Sequence, residues 1–327
     1  MTSNRLRFTI PLEPATGSIF QPTGFPDIGA ATFQRPNGDG REPTECLLVE
    51  SAQSMANHLE SVGWDDAAQA PVTALDGLPW VRVLADDDGR FLTSSRLESH
   101  RLASAFVKDS SLDGTPMKQV IRERLKLRAD TPLDHRAIAS AVFALDPLCL
   151  VHGVFFAEKA DVWPGQPKIA RAITAIVEAV DVRAVNSGGV KRDMVLHSTD
   201  EGTASKEGYG SIPFHRQEFT AREITLHVSV DRLQFASYGL GHEATALLEA
   251  IALWEVRTLV DQGLRLRTAC DLDVADGAAL AELPKGDILA ERVRSGVSAC
   301  SDLLHDGAPI DVRWIRPKKG AGGKDRE

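Results

Sequence analysis

The stretch ITLHVSV at residues 224–230 alternates apolar and polar side chains without a break. Successive side chains of a β-strand point to opposite faces of its sheet, so the pattern predicts a strand with one buried face. Residues 5–10 alternate in the same way. Residues 172–180 are apolar almost throughout, which is typical of a central strand. These strands indicate that a sheet lies at the centre of the molecule.

Further elements are predicted outward from these strands. Apolar residues at helical spacing predict helices at residues 44–60, 96–106, 133–145 and 242–262, and a basic helix that starts at Thr115-Pro116. Residues 148–156 are interpreted as a buried strand, and residues 310–315 as a closing strand. Without a helix-rich insertion at residues 65–170, the order is strand, helix, strand, hairpin loop, strand, helix, strand. That order predicts an α+β fold with a ferredoxin-like or RRM-like sheet.

Two glycine-rich basic segments lie between the second and third strands of this order. Glycines let a backbone bend tightly and approach another molecule, and cations near such a bend can bind phosphate. We therefore expect a hairpin at residues 184–216 that contacts nucleic acid; a solvated hairpin tip is the alternative. The candidate RNA-binding residues of the hairpin are Gly188, Gly189, Lys191, Arg192, His215 and Arg216. Phe214 or Tyr209 is a candidate to stack on a base; the alternative is that Phe214 packs the hairpin against the sheet.

Two further groups of residues are candidates for RNA contact. Arg96, His100 and Arg101 have helical spacing and would share one helix face; a solvated face with ion pairs is the alternative. Gln21, Thr23 and Gly24 form a polar loop after the first strand, and its hydroxyls and amides can hold phosphate. A loop with only a structural role is the alternative.

The charges are segregated along the 327-residue chain, whose formal net charge is −9. Residues 39–89 contain eleven acids and two arginines, whereas residues 90–136 contain ten Lys or Arg and six acids. The tail from residue 313 is basic again. This distribution is compatible with RNA binding and equally with contact between the acidic and basic faces of two copies.

Several classes of function are disfavoured by the sequence. The four cysteines lie far apart without a C-x-x-C pair, which favours a reduced cytoplasmic protein without a cysteine-based zinc site. We find no signal-peptide core and no apolar run long enough for a membrane span. Walker, G-x-S-x-G and H-E-x-x-H motifs do not occur, and we expect no cofactor and no metal. His152 is interpreted as a core histidine and Trp254 as part of the core.

Six stretches of the sequence together resemble one CRISPR family, namely the RAMP-superfamily backbone subunit of type I-G (formerly I-U) Cascade surveillance complexes. The resemblance covers roughly residues 5–315. The stretches are FQPTGFPDIG (20–29), LVESAQSMAN (48–57), SRLESHRLA (95–103), SGGVKRD (187–193), EGYGSIPFHR (207–216) and GLRLRTACDL (263–272).

The resemblance implies a non-catalytic subunit that polymerises along CRISPR RNA and leaves the spacer open for pairing with target DNA. It implies a palm, a helical fingers insertion and a thumb hairpin that folds over RNA held by the next copy. It implies as partners further copies of the chain, a handle-binding or repeat-processing subunit, a large subunit and a recruited helicase-nuclease. Many RAMP proteins carry a glycine-rich loop after the second helix. Here only residues 320–323, in the tail, are glycine-rich, and the sequence does not identify which loop near Gly263 takes its place.

On this basis the chain divides into palm (1–64), fingers (65–170), a palm strand (171–183), thumb (184–216), palm again (217–316) and a disordered tail (317–327). An enzyme is the rival hypothesis. It would be a metal-independent RAMP endoribonuclease that processes CRISPR RNA and uses His100 or His215 as general acid or base.

Overall fold

The computed structural model of the chain describes residues 4–25, 28–38, 40–193, 210–304 and 309–315. The predicted tail at residues 317–327 and Tyr209 lie outside these ranges. In chain order, the strands of the described residues are β1 (Arg5–Pro14), β2 (Gly24–Phe25), β3 (Gly29–Ala30), β4 (Thr32–Arg35), β5 (Thr44–Glu50), β6 (Trp64–Asp65), β7 (Ala70–Pro71), β8 (Val81–Ala85), β9 (Phe91–Ser94), β10 (Ser111–Leu112), β11 (Thr115–Pro116), β12 (Val154–Phe155), β13 (Lys168–Ile169), β14 (Ile173–Val180), β15 (Arg183–Asp193), β16 (Gly210–Thr220), β17 (Glu223–Asp231), β18 (Leu264–Arg267), β19 (Cys270–Val274) and β20 (Ile310–Trp314).

The helices are mostly short, apart from one long central helix. In chain order they are α1 (Ala52–Ser61), α2 (Ala105–Lys108), α3 (Met117–Arg124), α4 (His135–Leu145), α5 (Leu148–His152), α6 (Arg232–Ser237), α7 (His242–Gln262) and α8 (Gly286–Ala299). Single 3-10 turns span Thr73–Leu75, Arg101–Ala103 and Gly277–Leu280. The molecule is therefore a mixed α+β protein, as predicted.

The main sheet has seven strands in the order β18-β19-β1-β17-β14-β5-β4, and every neighbouring pair is antiparallel. Alternate residues of β1 and β17 are buried, Ile10 and Leu226 among them, because their side chains face the hydrophobic core. The strands predicted at residues 5–10, 172–180 and 224–230 are confirmed as β1, β14 and β17.

Helix α7 lies in the core and contacts α1, α5, α6 and α8. It begins and ends at the predicted residues, 242 and 262, and Gly263 ends it with a positive φ of 79°. Trp254 is 5% exposed, so its predicted core position is confirmed. The helices predicted at residues 133–145 and after Thr115-Pro116 correspond to α4 and α3.

A second sheet, in the order β11-β10-β20-β8-β9, draws its central strand from the end of the described chain. β20 runs parallel to β8, and Arg82 Nε donates to Asp311 Oδ1 over 2.8 Å between them. The prediction that residues 310–315 close the main sheet is therefore wrong: the β18–β19 hairpin occupies that edge beside β1. Residues 65–170 also contain four of the five strands of this sheet, so the segment is less helical than predicted.

Two predicted elements differ from the structure. Residues 44–50 form strand β5, where a helix was predicted, because Leu47 and Val49 pack into the core of the main sheet. The helix starts only at Ala52, where the Ser51 side chain accepts a hydrogen bond from the Ser54 amide. Residues 148–152 form α5 where a buried strand was predicted, and only β12 after Gly153 is extended.

Candidate nucleic-acid interface

The predicted hairpin is present as the two-stranded sheet of β15 and β16, separate from the main sheet. Eleven residue pairs join the strands, from Arg183 opposite Thr220 to Asp193 opposite Gly210. At about 3.4 Å per residue the ladder is roughly 35 Å long. It follows β14 and precedes β17, which are neighbours in the main sheet, so both its strands start from the centre of that sheet.

The glycines of the hairpin lie against the aromatic ring on the opposite strand. Gly188 pairs with His215 and Gly189 with Phe214. A Cβ on Gly188 would lie 2.7 Å from the Phe214 carbonyl oxygen, and one on Gly189 would lie 3.2 Å from Cζ of the Phe214 ring. The two glycines therefore permit a close approach of the strands. This packing lies within the hairpin.

Exposed aromatic and cationic groups line β16. Phe214 is 45% exposed, and the Arg216 guanidinium carbon lies 5.2 Å from the centre of its ring. This is a cation–π distance. His215 is also exposed and belongs to the opposite face of the strand. Lys191 lies opposite Ile212 and Arg192 opposite Ser211 in the ladder, and for these two residues the structure describes the backbone alone.

The base of the hairpin is fixed by two buried phenylalanines. Phe20 and Phe219 exchange backbone hydrogen bonds of 2.9 Å in both directions, and both side chains are buried. The next residue, Gln21, donates its backbone N–H to Ala269 in the turn between β18 and β19. The predicted polar loop is thus placed between the base of the hairpin and this turn.

A polar cluster holds that loop in place. Glu50, whose side chain is fully buried, accepts hydrogen bonds from the Thr23 hydroxyl (3.0 Å) and from Arg267. Arg267 also donates to Thr23 Oγ1 (2.6 Å) and to the Gln21 carbonyl (3.1 Å). Burial acts to raise the pKa of Glu50, but the hydrogen bond with His58 and the charge of Arg267 outweigh it, so the pKa is lowered.

This cluster changes the interpretation of the loop residues. The Thr23 hydroxyl is already engaged by Glu50 and Arg267, and Gly24 lies in β2, where a Cβ would come 2.9 Å from the Gly29 carbonyl oxygen. Sequence reasoning did not single out Glu50 or Arg267 as a pair, because 217 residues separate them. Both residues lie in stretches that carry the family resemblance, and this resemblance is the signal in the sequence that could have identified them.

The predicted helix at residues 96–106 is absent, so the expected shared face of Arg96, His100 and Arg101 is wrong. The segment instead contains turns, the 3-10 turn Arg101–Ala103 and the short helix α2. Two of the three side chains point inward: those of Arg96 and Arg101 are 5% and 10% exposed. His100 is exposed on the surface.

Both buried arginines are paired with carboxylates. Arg96 Nε lies 2.9 Å from Asp146 Oδ1. Arg101 donates to both carboxylate oxygens of Glu60 (2.6 and 2.7 Å) and to the Gly153 carbonyl (3.0 Å). A buried charge is costly unless an opposite charge lies beside it, so these pairs hold the segment in position. Neither guanidinium is positioned to reach an external phosphate.

Histidine 152 is a buried core residue, as predicted, although it lies at the end of a helix. Its Nε2 is 2.8 Å from Glu255 Oε2, and both side chains are fully buried. Burial raises the pKa of Glu255, and the charge and hydrogen bond of His152 oppose that rise. The four cysteines are also buried and free.

Two other features are absent from the part of the chain that the structure describes. Within the described ranges, no three His, Cys, Asp or Glu side chains are grouped so as to hold a metal ion. No helix among those same residues combines the length and apolarity required to cross a bilayer.

Comparison with known proteins gives one family. A family model described as CRISPR-associated protein GSU0053 matches residues 6–184. Among solved structures, a chain of "CRISPR RNA-guided surveillance complex, pre-nicking" is 11% identical, with a TM-score of 0.37, over 82% of this chain and 76% of that chain. Csc2 of Thermofilum pendens is 11% identical, with a TM-score of 0.32, over 94% of this chain and 78% of that chain. None of the curated proteins compared with the chain matches it.

Proposed function

The chain belongs to the CRISPR-associated GSU0053 family, and from that premise we propose that it is a non-catalytic RNA-binding subunit of a type I surveillance complex. In this proposal, copies of the chain polymerise along CRISPR RNA and form the backbone of the complex, of subtype I-G. The spacer bases remain available to pair with a target DNA strand.

The strand order of the main sheet supports a ferredoxin-like palm. Strands β1, β14, β17 and β19 are the first, second, third and fourth strands of a split βαβ unit, with α1 after the first and α7 after the third. Their order across the sheet is β19-β1-β17-β14, and all pairs are antiparallel. On this interpretation β4, β5 and β18 extend the palm, and residues 65–170 with β20 form the fingers.

The observation that carries the proposal is the hairpin. A ladder of eleven pairs extends from two central strands of the sheet and, beyond its base, exposes Phe214, His215 and Arg216. Among the described side chains of β15 and β16 only Phe219 is buried, so the hairpin contributes little to the core and a binding role explains its length. We assign it as the thumb, with Gly188, Gly189, Lys191 and Arg192 near the RNA.

Phosphate contacts also explain how one protein can accept any spacer. Cationic contacts to the RNA backbone position the strand and carry no sequence information. The exposed Phe214 ring suits stacking on a displaced base, which does not depend on base identity either. Arg96 and Arg101 are left out of the contact surface because they are buried, and Gln21 and Thr23 support the base of the thumb.

The partners follow from the same proposal. They are CRISPR RNA, further copies of this chain, a handle-binding or repeat-processing subunit, a large subunit and a recruited helicase-nuclease. The acidic segment at residues 39–89 and the basic segment at residues 90–136 give neighbouring copies complementary charges.

The test is RNA binding by the double variant Lys191→Ala/Arg192→Ala, measured by gel shift with spacer RNAs of several sequences. We expect a similar loss of affinity for every sequence. The slope of log K against log salt should also become shallower, by about 0.7 for each phosphate contact removed. Lys285→Ala/Arg292→Ala removes the same charge at helix α8 and is the matched control, expected to bind as wild type.

Two results would contradict the proposal. Wild-type binding by the Lys191/Arg192 variant would remove the hairpin from the RNA interface. Cleavage of repeat RNA by the purified protein, abolished by His100→Ala or His215→Ala, would instead support the endoribonuclease hypothesis.

A further inference from the structure

A groove of about 970 Å³ lies on the insertion, along helix α3 and the residues that follow it. Four cations line it: Lys118, Arg122, Lys126 and Arg128. The apolar side chains of Leu127 and Val162 line it as well, together with two carboxylates, Glu123 and Asp161. The groove therefore combines an excess of positive charge with apolar surface.

Three of these four cations form no ion pair with the described residues. Lys118 is paired with Asp109 (2.7 Å) and Glu158 (3.4 Å). Arg122 donates to the backbone carbonyl of Asp161 (2.8 Å), which is a neutral acceptor. The side chains of Lys126 and Arg128 are exposed and have no ion pair or hydrogen bond with the described residues.

The backbone holds Lys126 in a conformation that favours glycine. Helix α3 ends in a Schellman motif, in which the Leu127 amide donates to the Arg122 carbonyl (2.9 Å) and the Lys126 amide to the Glu123 carbonyl (3.1 Å). Lys126 occupies the left-handed position of that motif with a φ of +54°. Glycine is the usual residue there, because a side chain adds strain.

A lysine in place of the usual glycine costs stability, and such a strained position points to a use for the side chain. The cation at this position extends the charged rim formed by Arg122 and Arg128. Cations next to apolar surface suit a nucleotide chain. Its phosphates pair with the cations, and its bases and sugars pack on the apolar surface. A protein surface rich in carboxylates would pair with the cations but would not need the apolar surface beside them.

We propose that this groove is a second binding site, separate from the hairpin, for the phosphodiester backbone of single-stranded nucleic acid. The inference rests on the proposed function in that it takes the chain to bind nucleic acid. It adds a contact on the insertion that neither the hairpin nor the loop after β1 provides. RNA and DNA share the recognised phosphate, and the experiment distinguishes them.

The test uses Lys126→Gly in the full chain, because this change separates stability from binding. Glycine relieves the left-handed strain, so urea unfolding should show equal or higher stability than wild type. Binding of fluorescein-labelled 30-mer RNA and DNA homopolymers, followed by anisotropy over a salt series, should weaken several-fold for the strand that the groove holds. For that strand, the slope of log K against log salt should become shallower by about 0.7. Lys126→Gly/Arg128→Gln should weaken that binding further and lower the slope by about twice as much.

Lys285→Gly is the matched control. Lys285 is an exposed lysine that precedes helix α8 with an extended conformation, so the change removes the same charge and introduces the same residue. We expect wild-type binding by this variant. Equal binding by Lys126→Gly, the double groove variant and wild type would overturn the inference.

The outcomes for the hairpin and the groove are separable. If Lys191→Ala/Arg192→Ala weakens binding and both groove variants do not, the groove inference fails and the proposed function stands. If the wild-type chain binds neither homopolymer, both fail. If the groove variants change only self-association in sedimentation without nucleic acid, the groove is a contact between copies and the inference is overturned.

Discussion

At the scale of single residues, the pair between Arg101 and Glu60 connects the insertion to helix α1. The Arg101 guanidinium satisfies both carboxylate oxygens and one backbone carbonyl inside the molecule. Removing one member of a buried pair leaves the other charge without compensation, whereas removing both does not. The contribution of this pair can therefore be separated from the cost of an unpaired charge.

We predict that Arg101→Met lowers the free energy of unfolding by roughly 3–5 kcal/mol, because Glu60 is left buried and unpaired. Urea denaturation at neutral pH measures the change. The double variant Arg101→Met/Glu60→Met should be more stable than the single variant. The control is Arg90→Met, whose partner Asp88 is exposed, and we expect a change within about 0.5 kcal/mol. A double variant no more stable than the single one would contradict this account.

Glu50 gives a prediction about pH. Its pKa is lowered below the ordinary value of 4.5, so the unfolded chain binds its proton more tightly than the folded protein does. The stability contributed by Glu50 is therefore complete above that value and is lost as the pH falls below it. We predict that Glu50→Gln flattens the dependence of unfolding free energy on pH between about pH 5 and 3.

Wild type and Glu50→Gln are compared by urea denaturation at each pH. The neutral variant will be less stable than wild type near pH 7, where Arg267 loses its charged partner, and the difference should shrink in acid. A difference that stays constant with pH would show that folding does not lower the pKa of Glu50 and would contradict this account.

The residue types in the sequence identified candidate cations but could not tell exposed cations from buried ones. Arg96 and Arg101 are buried because Asp146 and Glu60, distant in sequence, lie beside them in the fold. Arg267 reaches Glu50 across 217 residues in the same way. Such contacts depend on the tertiary arrangement, and no local spacing encodes them.

At the scale of elements, periodicity predicted those segments that bury one face. Strand β17 and helix α7 were found from alternation and helical spacing, and Gly263 marked the end of the helix. Strand β5 was missed because its residues are buried on both faces, so Leu47, Leu48 and Val49 show no alternation. Helical spacing from Leu48 to Leu59 then overlapped the strand and the helix that follows it.

The hairpin is an element whose removal should leave the core intact. Ser187 and Arg216 are paired in the ladder, so an Asn-Gly turn can join them in place of residues 188–215. We predict that this truncated chain unfolds within a few degrees of the wild-type melting temperature, since the anchor at Phe20 and Phe219 is retained. RNA binding should fall at least as much as in the Lys191→Ala/Arg192→Ala variant.

Circular dichroism melting and gel shift measure the two properties on the same preparation. The chain in which residues 188–215 are replaced by a glycine-serine linker of equal length is the control for loop length. It should also lose RNA binding. RNA affinity equal to wild type in the truncated chain would contradict the assignment of the hairpin as the thumb.

At the scale of the whole molecule, the end of the described chain returns to the insertion. β20 lies between β10 and β8 and is therefore the central strand of the second sheet. Its alternation predicted a strand from the sequence, but nothing local indicated which sheet it would join. Register between segments more than 200 residues apart is set by the shape of both sheets, and the prediction of a closing palm strand failed for that reason.

This topology predicts that two truncations at the C-terminal end have different effects. Deletion of residues 309–327 removes β20. The core then loses the buried side chains of Ile310 and Val312, and Arg82 loses its partner Asp311. The second sheet then loses the strand that joins its two halves, and we expect the insertion to become susceptible to proteolysis and the melting temperature to fall by several degrees. Deletion of residues 316–327 retains β20 and should leave the protease resistance and the melting temperature unchanged.

Limited proteolysis with mass spectrometry identifies where each chain is cut. Cleavage of the 309–327 deletion within residues 81–124 but not within the main sheet is the expected result. A deletion that melts as wild type would show that the second sheet does not need β20.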